Sequence, residues 1–333
     1  MTLPTGFLLH PSASLHDTGW GHPEHQGRLR ALASSVGRDM MALHGLAEQV
    51  MPDPADENEL LRVHPATHVE AVKQAVQLSA AEGRPLEFAP ETMVSDATWD
   101  AILGSLGAVI TACDGVLDGR FRNAFVATRP PGHHCTADTA MGFCPVNTVA
   151  VAARRLVEQG RADRVLIVDW DVHHGNGTQD IFYGDPDVFY LSLHEWPQYP
   201  GTGAADERGE GAGEGTTLNV PLPAGTDGPR FLDALETALR GVLRTFEPDF
   251  VLVSSGFDGL AADPLGGFLL EPSDFHAATA ILSETVGREC DGRIVALLEG
   301  GYDPRATGLA TVAVLRALAG ISQADPTLPV PAV

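Results

Sequence analysis

Positively charged residues are scarce in this chain, and lysine is almost absent. The sequence holds 21 basic residues against 44 acidic ones, a formal net charge of −23, and Lys73 is its single lysine. Binding nucleic acid through the phosphates needs a basic face, so nucleic acid is excluded as a partner. An acidic field would instead attract cationic substrates such as acylated lysine peptides or polyamines, although a general adaptation for solubility gives the same composition.

Cysteines and long apolar runs are also few. The four cysteines, Cys113, Cys135, Cys144 and Cys290, form no CxxC pair. This spacing predicts reduced, buried thiols, and a redox role for Cys135 and Cys144 stays open. No apolar run approaches the roughly 18 residues of a membrane span, and the first residues lack the basic and apolar regions of a signal peptide. We therefore expect a cytoplasmic protein with no membrane partner.

Short apolar strands alternate with helical patterns along most of the 333 residues. The predicted strands are 7–10, 123–128, 165–168, 188–193, 218–220, 250–254 and 294–298. The predicted helices are one ending near 46, then 65–80, 97–117, 145–159, one from 177, 228–246, 271–288 and 304–319. This alternation predicts an α/β fold whose parallel sheet is covered on both faces. We expect one domain over residues 1–320 and a loosely held tail over 321–333, with homo-oligomer formation left open.

The stretch RVLIVDWDVHHGNGT, residues 164–178, carries the most chemistry. A wholly apolar run typical of a buried strand is followed by Asp169, Asp171 and His173 at every second position. In an extended chain such residues point the same way. They would converge at the carboxyl end of a strand, where open α/β sheets bind ligands. Three polar side chains facing one spot need a partner, so the stretch predicts a metal centre.

Loops after three other predicted strands carry further reactive side chains between glycines. Asp258 lies in GFDGLAADPLGG, and with Asp171 and His173 it would complete an oxygen-rich set of three ligands. Catalytic zinc sites use three protein ligands plus an open position, but iron, cobalt or manganese would also suit oxygen-rich ligands. The other loops supply His133, His134 and Tyr302. A tyrosine hydroxyl there could stabilise a developing oxyanion.

The adjacent imidazoles His133 and His134 have candidate supports in the same sequence. Asp169 and Asn176 flank the predicted metal ligands, and each could hold one imidazole through its second nitrogen. Such a bond fixes the tautomer and the basicity of a histidine. These two residues are therefore predicted to support the proton carriers.

The motifs RPPGHH…GFC, VDWDVHHGNGTQ, YLSLH, SSGFDGLAADPLGG and LEGGYDP, in this order, resemble the zinc-dependent histone deacetylase and acetylpolyamine amidohydrolase superfamily. The resemblance covers about residues 21–319 and is strongest to class II histone deacetylases and bacterial deacetylase-like amidohydrolases. It implies a single three-layer α/β/α domain of the arginase-like fold with an eight-stranded, mostly parallel sheet. It also implies one Zn²⁺ per chain, with Fe²⁺ or Co²⁺ as alternatives, and a structural K⁺.

The resemblance assigns a role to each motif residue. It implies Asp171, His173 and Asp258 as zinc ligands, and His134 as the general base that activates the metal-bound water and later protonates the leaving amine. His133 would remain an electrostatic partner, and Tyr302 would stabilise the oxyanion. The supports implied behind the histidines are Asp169 for His133 and Asn176 for His134. The implied monovalent-cation site consists of Asp169, Asp171, His173, Ser192 and Leu193.

The same resemblance implies a tunnel for the stem of an acylated amine. Phe143 matches one aromatic wall, and Tyr199 lies where many members have the opposing phenylalanine. Leu265 occupies a position that is acidic in polyamine-specific members, which favours acyl-lysine or another stem without a second charged amine. The remaining substrate-binding residues that it implies are Gly142, Gly300 and Gly301.

We therefore predict a metal-dependent amidohydrolase that removes acetyl or other short acyl groups from an acylated lysine side chain or a small acylated amine. Acetylpolyamine hydrolysis is the main alternative, followed by hydrolysis of other small amides or esters. An arginase-type enzyme with two manganese ions would need a second carboxylate-rich cluster, and a non-catalytic binder would have lost a catalytic residue. A direct role for His22, Glu24 and Arg28 is left open. The histidines predicted to be structural or ordinary polar positions are His10, His16, His44, His64, His68, His174, His194 and His276.

Overall fold

A parallel sheet forms the centre of the computed structural model, which describes residues 3–323. Within these residues ten strands occur: β1 (Thr5–Leu8), β2 (Ala47–Val50), β3 (Leu86–Ala89), β4 (Thr92–Val94), β5 (Asn123–Val126), β6 (Val165–Asp169), β7 (Val188–Glu195), β8 (Thr217–Leu222), β9 (Phe250–Ser255) and β10 (Ile294–Leu298). Eight of them form the main sheet in the order β2-β1-β5-β10-β9-β6-β7-β8, and every pairing in it is parallel. The remaining two, β3 and β4, form an antiparallel hairpin.

Helices cover both faces of this sheet. The described residues form α1 (Gly27–Asp39), α2 (Ala66–Glu82), α3 (Thr98–Leu117), α4 (Thr148–Glu158), α5 (Asn176–Phe182), α6 (Gly228–Val242), α7 (Pro272–Thr285) and α8 (Pro304–Leu318). Side chains alternate between the two faces along each strand. In β6, Leu166 and Val168 enter one core with α1, α6, α7 and α8, whereas Val165 and Ile167 enter the other with α3 and α4. The predicted three-layer α/β/α architecture is thereby confirmed.

Most of the predicted elements are present with shifted ends, and three short strands, β2, β3 and β4, were missed. Residues 40–46 were predicted to continue the first helix but form turns, and β2 follows them. The β2 sequence AEQV lacks alternating hydrophobicity, so its strand character depends on pairing with β1. The β3–β4 hairpin was missed because its strands have only four and three residues, too few for a reliable pattern. The boundary at residue 320 stays a prediction, because residues 324–333 of the predicted tail lie outside the described residues.

One helix in the described part of the chain, α3, is long and apolar enough to cross a membrane by length and composition. No such run was expected from the sequence. In the structure 61% of its apolar window is buried, and it packs against β5, β1 and β10. The core helix of a folded domain can be equally long and apolar, and α3 is an interior helix of this kind.

The strand order explains how distant motifs meet. β5, β10, β9 and β6 are consecutive neighbours in the sheet, although they are far apart along the chain. Since all four run parallel, the loops after them leave the sheet at the same edge. These loops carry the histidine pair, the LEGGYDP motif, Asp258 and the Asp171–His173 segment. The fold therefore brings all four predicted motifs to one site.

Candidate metal centre and active site

Asp171, His173 and Asp258 meet just beyond the ends of β6 and β9. Each offers a ligand atom, and these atoms lie within 4.8 Å of one another. His173 Nδ1 is 3.1 Å from Asp171 Oδ1 and 3.0 Å from Asp258 Oδ2. The carboxylates are fully buried, and a single imidazole N–H cannot neutralise both. The donor set therefore fits a divalent cation held by one nitrogen and two carboxylate oxygens.

The pKa values of these candidate ligands also indicate a cation site. Burial opposes a charged imidazole, but the charge of Asp258 and hydrogen bonds to both carboxylates raise the pKa of His173 well above its usual value. Burial and the negative charge of Asp171 raise the pKa of Asp258 to about 7. Without a metal, protons must supply the positive charge. The three predicted ligands thus lie together at a position whose excess negative charge favours the binding of a cation.

Backbone groups fix the two carboxylates in place. Gly300 N–H donates to Asp171 Oδ2 at 2.8 Å, and Val172 N–H donates to Asp258 Oδ1 at 2.9 Å. A Cβ at Gly300 would overlap the carboxylates of both Asp171 and Asp258. Glycine is therefore required there because the backbone approaches the ligands so closely. Gly300 supports the metal ligands, and its neighbour Gly301 adopts a φ of +116° in the same turn.

His133 and His134 lie side by side after β5, with ring centroids 4.0 Å apart. His133 Nδ1 donates to Asp169 Oδ2 at 3.0 Å. Although burial favours the neutral ring, the charges of Asp169 and Asp171 and this hydrogen bond raise the pKa of His133 to about 10. The first imidazole of the pair is accordingly held as a cation.

His134 has the opposite character. Its Nδ1 lies 2.9 Å from Asn176 Oδ1, and a carboxamide oxygen only accepts hydrogen bonds. Nδ1 therefore carries the proton, and Nε2 keeps a free lone pair. Burial, followed by the positive charges of His133 and His173, lowers the pKa of His134 well below its usual value. Two adjacent histidines are thus separated into a cation and a neutral base.

Two residues behind the pair were missed by sequence reasoning. Tyr190 O–H donates to Asp169 Oδ2 at 3.0 Å, alongside His133. Glu299 Oε2 accepts the Gly132 N–H at 2.6 Å and the His133 N–H at 3.3 Å. Both positions were detectable: Tyr190 shares a strand face with Ser192, and Glu299 directly follows a buried strand. Polar residues at such positions need a partner.

Tyr302 closes the site opposite the histidines. Burial raises the pKa of its phenol well above the usual value, so it remains a hydrogen-bond donor. The Arg28 guanidinium lies over its ring, 4.9 Å from the centroid, and donates to the Gly301 carbonyl at 2.6 Å. Asp263, another residue missed from sequence, accepts the backbone N–H of both Tyr302 and Leu265. Arg28 thus contacts both the ring of Tyr302 and the backbone of its loop, and it stabilises the position of the loop.

Glu24 and His22 also acquire positions. Glu24 is fully buried, and its carboxylate accepts from both Arg28 and Arg129. His22 packs edge-on against Phe143 at 4.7 Å. Neither Glu24 nor His22 lines the cavity that leads to the site. Both therefore support residues of the site from outside it, and Arg28 contacts the Tyr302 loop.

A narrow cavity of about 220 Å³ leads from the surface to this centre. Its lining contains Glu91, His134, Gly142, Phe143, His173, Gln198, Tyr199, Leu265 and Tyr302. The predicted tunnel residues Phe143, Tyr199 and Leu265 are therefore brought together. Gly142 has a φ of +55°, and a Cβ there would overlap the His134 ring. Glu91, from the β3–β4 turn, was missed because that hairpin was not predicted.

The residues of the implied monovalent-cation site are close in the fold. Asp169 and Ser192 are directly opposite each other in the β6–β7 register. Asp169 Oδ1 accepts the Asp171 N–H at 3.1 Å, and Ser192 Oγ is 2.9 Å from His194 Nδ1. The ion itself stays a prediction. The placement of Asp169 and Ser192 is compatible with it.

The accessory histidines and cysteines behave as structural groups. His174 is bonded at one ring nitrogen to Thr202 and at the other to Gln179, and His194 to Ser192 and Gly203. Burial raises the pKa of the Cys135 and Cys144 thiols well above the usual value. A buried protonated thiol is a poor nucleophile, which argues against redox chemistry at either one.

The second group of candidate metal ligands among the described residues is His64, His68 and Cys135. It contains no carboxylate, so it cannot be the acidic cluster that an arginase-type centre with two manganese ions requires. The side chains predicted to be catalytic are all retained in the sequence and lie around the candidate metal ligands, which also disfavours a non-catalytic binder.

Comparison with known proteins agrees with this geometry. Residues 22–318 match the histone deacetylase domain. The chain is 37% identical to a histone deacetylase-like amidohydrolase of Pseudomonas aeruginosa, across 97% of this chain and 82% of that protein. It is 36% identical to human histone deacetylase 7, across 98% of this chain but 37% of that protein. The crystal structure of the HDA15 HD domain superposes with a TM-score of 0.88 at 36% identity, covering 97% of this chain and 91% of that one.

The sequence motifs, the sheet order and these likenesses agree with one another. The motifs concern single residues, the sheet order concerns topology, and the matches extend over nearly all of the chain. All three lead to one conclusion. The chain belongs to the histone deacetylase family of amide hydrolases.

Proposed function

We propose that this protein is a zinc-dependent deacylase that hydrolyses the amide of an acylated lysine side chain or a similar amine. The observation that carries the proposal is the Asp171–His173–Asp258 set beside a neutral His134, next to a cavity of about 220 Å³ that both histidines line. The printed names of two relatives, a histone deacetylase-like amidohydrolase and a probable deacetylase, support the reaction class.

A divalent ion held by Asp171, His173 and Asp258 would polarise the acyl carbonyl and acidify a bound water. His134 Nε2 takes the proton of the attacking water, since Asn176 keeps the other ring proton on Nδ1. Tyr302 donates its hydroxyl proton in a hydrogen bond to the oxyanion. His134 then returns its proton to the leaving amine nitrogen.

His133 contributes charge rather than proton transfer. Its imidazolium, held by Asp169, lies against the His134 ring. This neighbouring charge is one reason why the pKa of His134 is low. A low pKa keeps the ring neutral at neutral pH and makes its protonated form a stronger acid toward the leaving amine, but it also makes the ring a weaker base toward water. The charge of His133 therefore favours the protonation of the amine more than the activation of the water.

The acylated stem would lie between Phe143 and Tyr199, with Leu265 at the side. Leu265 gives no carboxylate to hold a second cationic amine, which favours acyl-lysine. Glu91 in the cavity lining is the one observation that favours the alternative, acetylpolyamine hydrolysis, because its carboxylate could bind a distal ammonium group.

Relative turnover of an acetyl-lysine peptide, a longer acyl-lysine peptide and an acetylated polyamine tests the substrate class. We expect the acetyl-lysine peptide to have the highest kcat/KM, and Leu265→Glu to shift preference toward the polyamine. Glu91→Gln removes a carboxylate from the cavity lining and tests the alternative directly. If the unmodified chain prefers the polyamine and Glu91→Gln removes that preference, the alternative is correct. If none of the three amides is hydrolysed by the zinc-loaded protein, the proposed function is wrong.

Two further assignments belong to this proposal. A potassium ion near Asp169 and Ser192 would stabilise the end of β6, and its test is the dependence of the unfolding temperature on K⁺ against a sodium or choline control. A reducing compartment such as the cytoplasm suits four buried free cysteines.

A further inference from the structure

A second cluster of metal-binding side chains lies behind the loop that carries the catalytic histidines. His64 precedes α2, His68 lies in the first turn of α2, and Cys135 follows His134. All three are buried, with 0%, 5% and 0% of their surface exposed. Their ligand atoms lie within 4.8 Å of one another. The two histidines had been interpreted from sequence as ordinary polar positions, because nothing in the sequence connects them to Cys135.

The hydrogen bonds of His68 leave an unresolved conflict. Its Nδ1 is 3.1 Å from the Asp138 carbonyl, and its Nε2 is 2.9 Å from the Pro145 carbonyl. A neutral imidazole carries one N–H, so one of these contacts would place two lone pairs against each other. Cys135 Sγ is 3.7 Å from the same Nε2 and 3.4 Å from the Pro145 carbonyl. Either a second ring proton or a metal cation between His68 Nε2, Cys135 Sγ and the Pro145 carbonyl removes the conflict.

His64 is oriented in the same manner. Its Nδ1 donates to the Ala137 carbonyl at 2.8 Å, and its Nε2 accepts the Asn147 N–H at 2.9 Å. Burial lowers the pKa of His64 to about 4, so the ring is neutral with its lone pair on Nε2. Both histidines thus hold a backbone carbonyl through Nδ1. Metal-binding histidines typically hold a backbone carbonyl in this way and bind the ion through the other nitrogen. Here the Nε2 of His64 accepts the Asn147 N–H and the Nε2 of His68 contacts the Pro145 carbonyl, so an ion would displace both contacts.

We propose that His64, His68 and Cys135 bind one thiophilic divalent cation of the Zn²⁺ type, as a structural site separate from the catalytic centre. Two imidazoles and a thiolate are ligands that zinc prefers. Binding releases the Cys135 thiol proton to solvent and replaces the Asn147 N–H bond to His64. The Pro145 carbonyl oxygen is the nearest candidate for a fourth ligand.

The bound ion would link α2 to the loop between β5 and α4. That loop carries His133 and His134 at its start and Gly142 and Phe143 near its end. Cys135 lies between these two segments, with Phe88 and Ala89 of β3 packed over the local apolar cluster. The site would therefore hold the base and the tunnel wall in register while remaining closed to substrate.

Cobalt substitution distinguishes the two sites, because the catalytic ligand set contains no sulfur. The full chain, freed of metal with a chelator, is titrated with Co²⁺ and followed by its near-ultraviolet absorption. We expect two equivalents to bind, with a thiolate-to-cobalt charge-transfer band for one of them. Asp258→Ala should keep the band and lose one equivalent, whereas Cys135→Ala should lose the band and keep the other equivalent. Cys113→Ala, another buried thiol far from both sites, is the control and should keep both.

A second measurement covers a Cys135 variant that folds poorly. His68→Gln keeps the thiol and a polar side chain, and we expect it to bind zinc at one equivalent instead of two, with a lower unfolding temperature only when zinc is present. A folded wild-type chain that saturates at one equivalent of Co²⁺ without the thiolate band would overturn the proposal. That result would mean that His68 is held by a proton alone.

Discussion

Two fully buried groups of charges flank Tyr302, and they are balanced in different ways. On the cavity side, the carboxylates of Asp171 and Asp258 share one imidazole. On the inner side, Glu24 accepts from two guanidinium groups, Arg28 and Arg129. The first group has an excess of negative charge, and the second an excess of positive charge.

In the inner group, the two guanidinium groups also donate hydrogen bonds to backbone carbonyls. Arg129 donates to the carbonyls of Ala13, His16 and Glu24, and Arg28 donates to the Glu299 carbonyl as well as to Gly301. Burial is outweighed by the Arg129 and Arg28 charges, which lower the pKa of Glu24 to about 2. On the cavity side the Gly300 and Val172 N–H groups also donate to the carboxylates, yet burial and the negative charge of Asp171 still raise the pKa of Asp258 to about 7. The two groups thus differ in the sign of their excess charge: the cavity side is short of positive charge and can take a cation, whereas Glu24 has two guanidinium partners, although its Oε2 accepts no hydrogen bond from the described residues.

Asp258→Ala should have the largest effect. Removing a carboxylate from the cavity side takes away a ligand, so we expect loss of one equivalent of metal and no measurable amide hydrolysis. Elemental analysis and an acetyl-lysine peptide assay measure both. Asp249→Ala is the matched control, since Asp249 precedes the same strand at the opposite edge of the sheet and binds the backbone of Asp163 and Arg164. If Asp258→Ala keeps all of its metal, the ligand assignment is wrong.

Tyr302→Phe should separate chemistry from metal binding. The ring, its contact with Arg28 and the fold remain, but the hydroxyl that donates to the oxyanion is lost. Removal of one such donor typically lowers kcat by about 10²- to 10³-fold. We expect this loss with unchanged metal content and little change in KM. Turnover within a factor of two of the unmodified chain would contradict the role of the hydroxyl.

The chemistry on the cavity side was readable from sequence because it follows strand ends. Asp169, Asp171 and His173 alternate directly after an apolar strand, and the same geometry explains Asp258 and Tyr302. Periodicity and a buried strand fix both direction and location for such residues. Most of the parallel sheet was predictable as well, because its central strands β6, β9 and β10 consist mainly of apolar residues, whereas the edge strand β2 does not.

The inner group and the second metal cluster were not readable in this way. Glu24, Arg28 and Arg129 come from different loops and a helix, and only the fold brings them together. His64 and His68 meet Cys135 across about 70 residues of chain. The spacing of His64 and His68 is also found among surface residues of helices. Nothing in the local sequence indicates that Cys135, from a distant part of the chain, lies beside them. Contacts of this kind depend on packing rather than on periodicity.

Glu24→Gln should disturb the inner group without emptying the centre. The variant leaves two buried guanidinium groups without a carboxylate, and breaking a buried ion pair costs about 3–5 kcal/mol. We expect a fall of that size in the free energy of unfolding, measured by urea denaturation, with metal content retained. This separates the two groups, since one is needed for stability and the other for metal binding.

Glu236→Gln is the matched control for that change. Glu236 pairs with Arg240 on the surface of α6, with both side chains largely exposed. Exposed pairs of this type contribute about 0.3–0.5 kcal/mol. Equal losses for Glu24→Gln and Glu236→Gln would mean that the buried carboxylate is not the partner on which Arg28 and Arg129 depend.

Asn176→Asp should give the smallest effect, a shift in pH dependence. A carboxylate behind His134 adds negative charge to the cavity side, which already has an excess of it. This charge stabilises the protonated imidazole of His134. The depressed pKa of His134 should therefore rise. Since the base must be neutral to accept a proton, activity falls as pH drops through this pKa, so the acidic limb of the kcat profile should move to higher pH by about one unit. Asn176→Ala, which removes the acceptor without adding charge, should not move the limb upward. If the two variants have the same profile, the carboxamide does not set the ionisation of His134, and the contrast between a cationic His133 and a neutral His134 must come from burial and from the neighbouring charges alone.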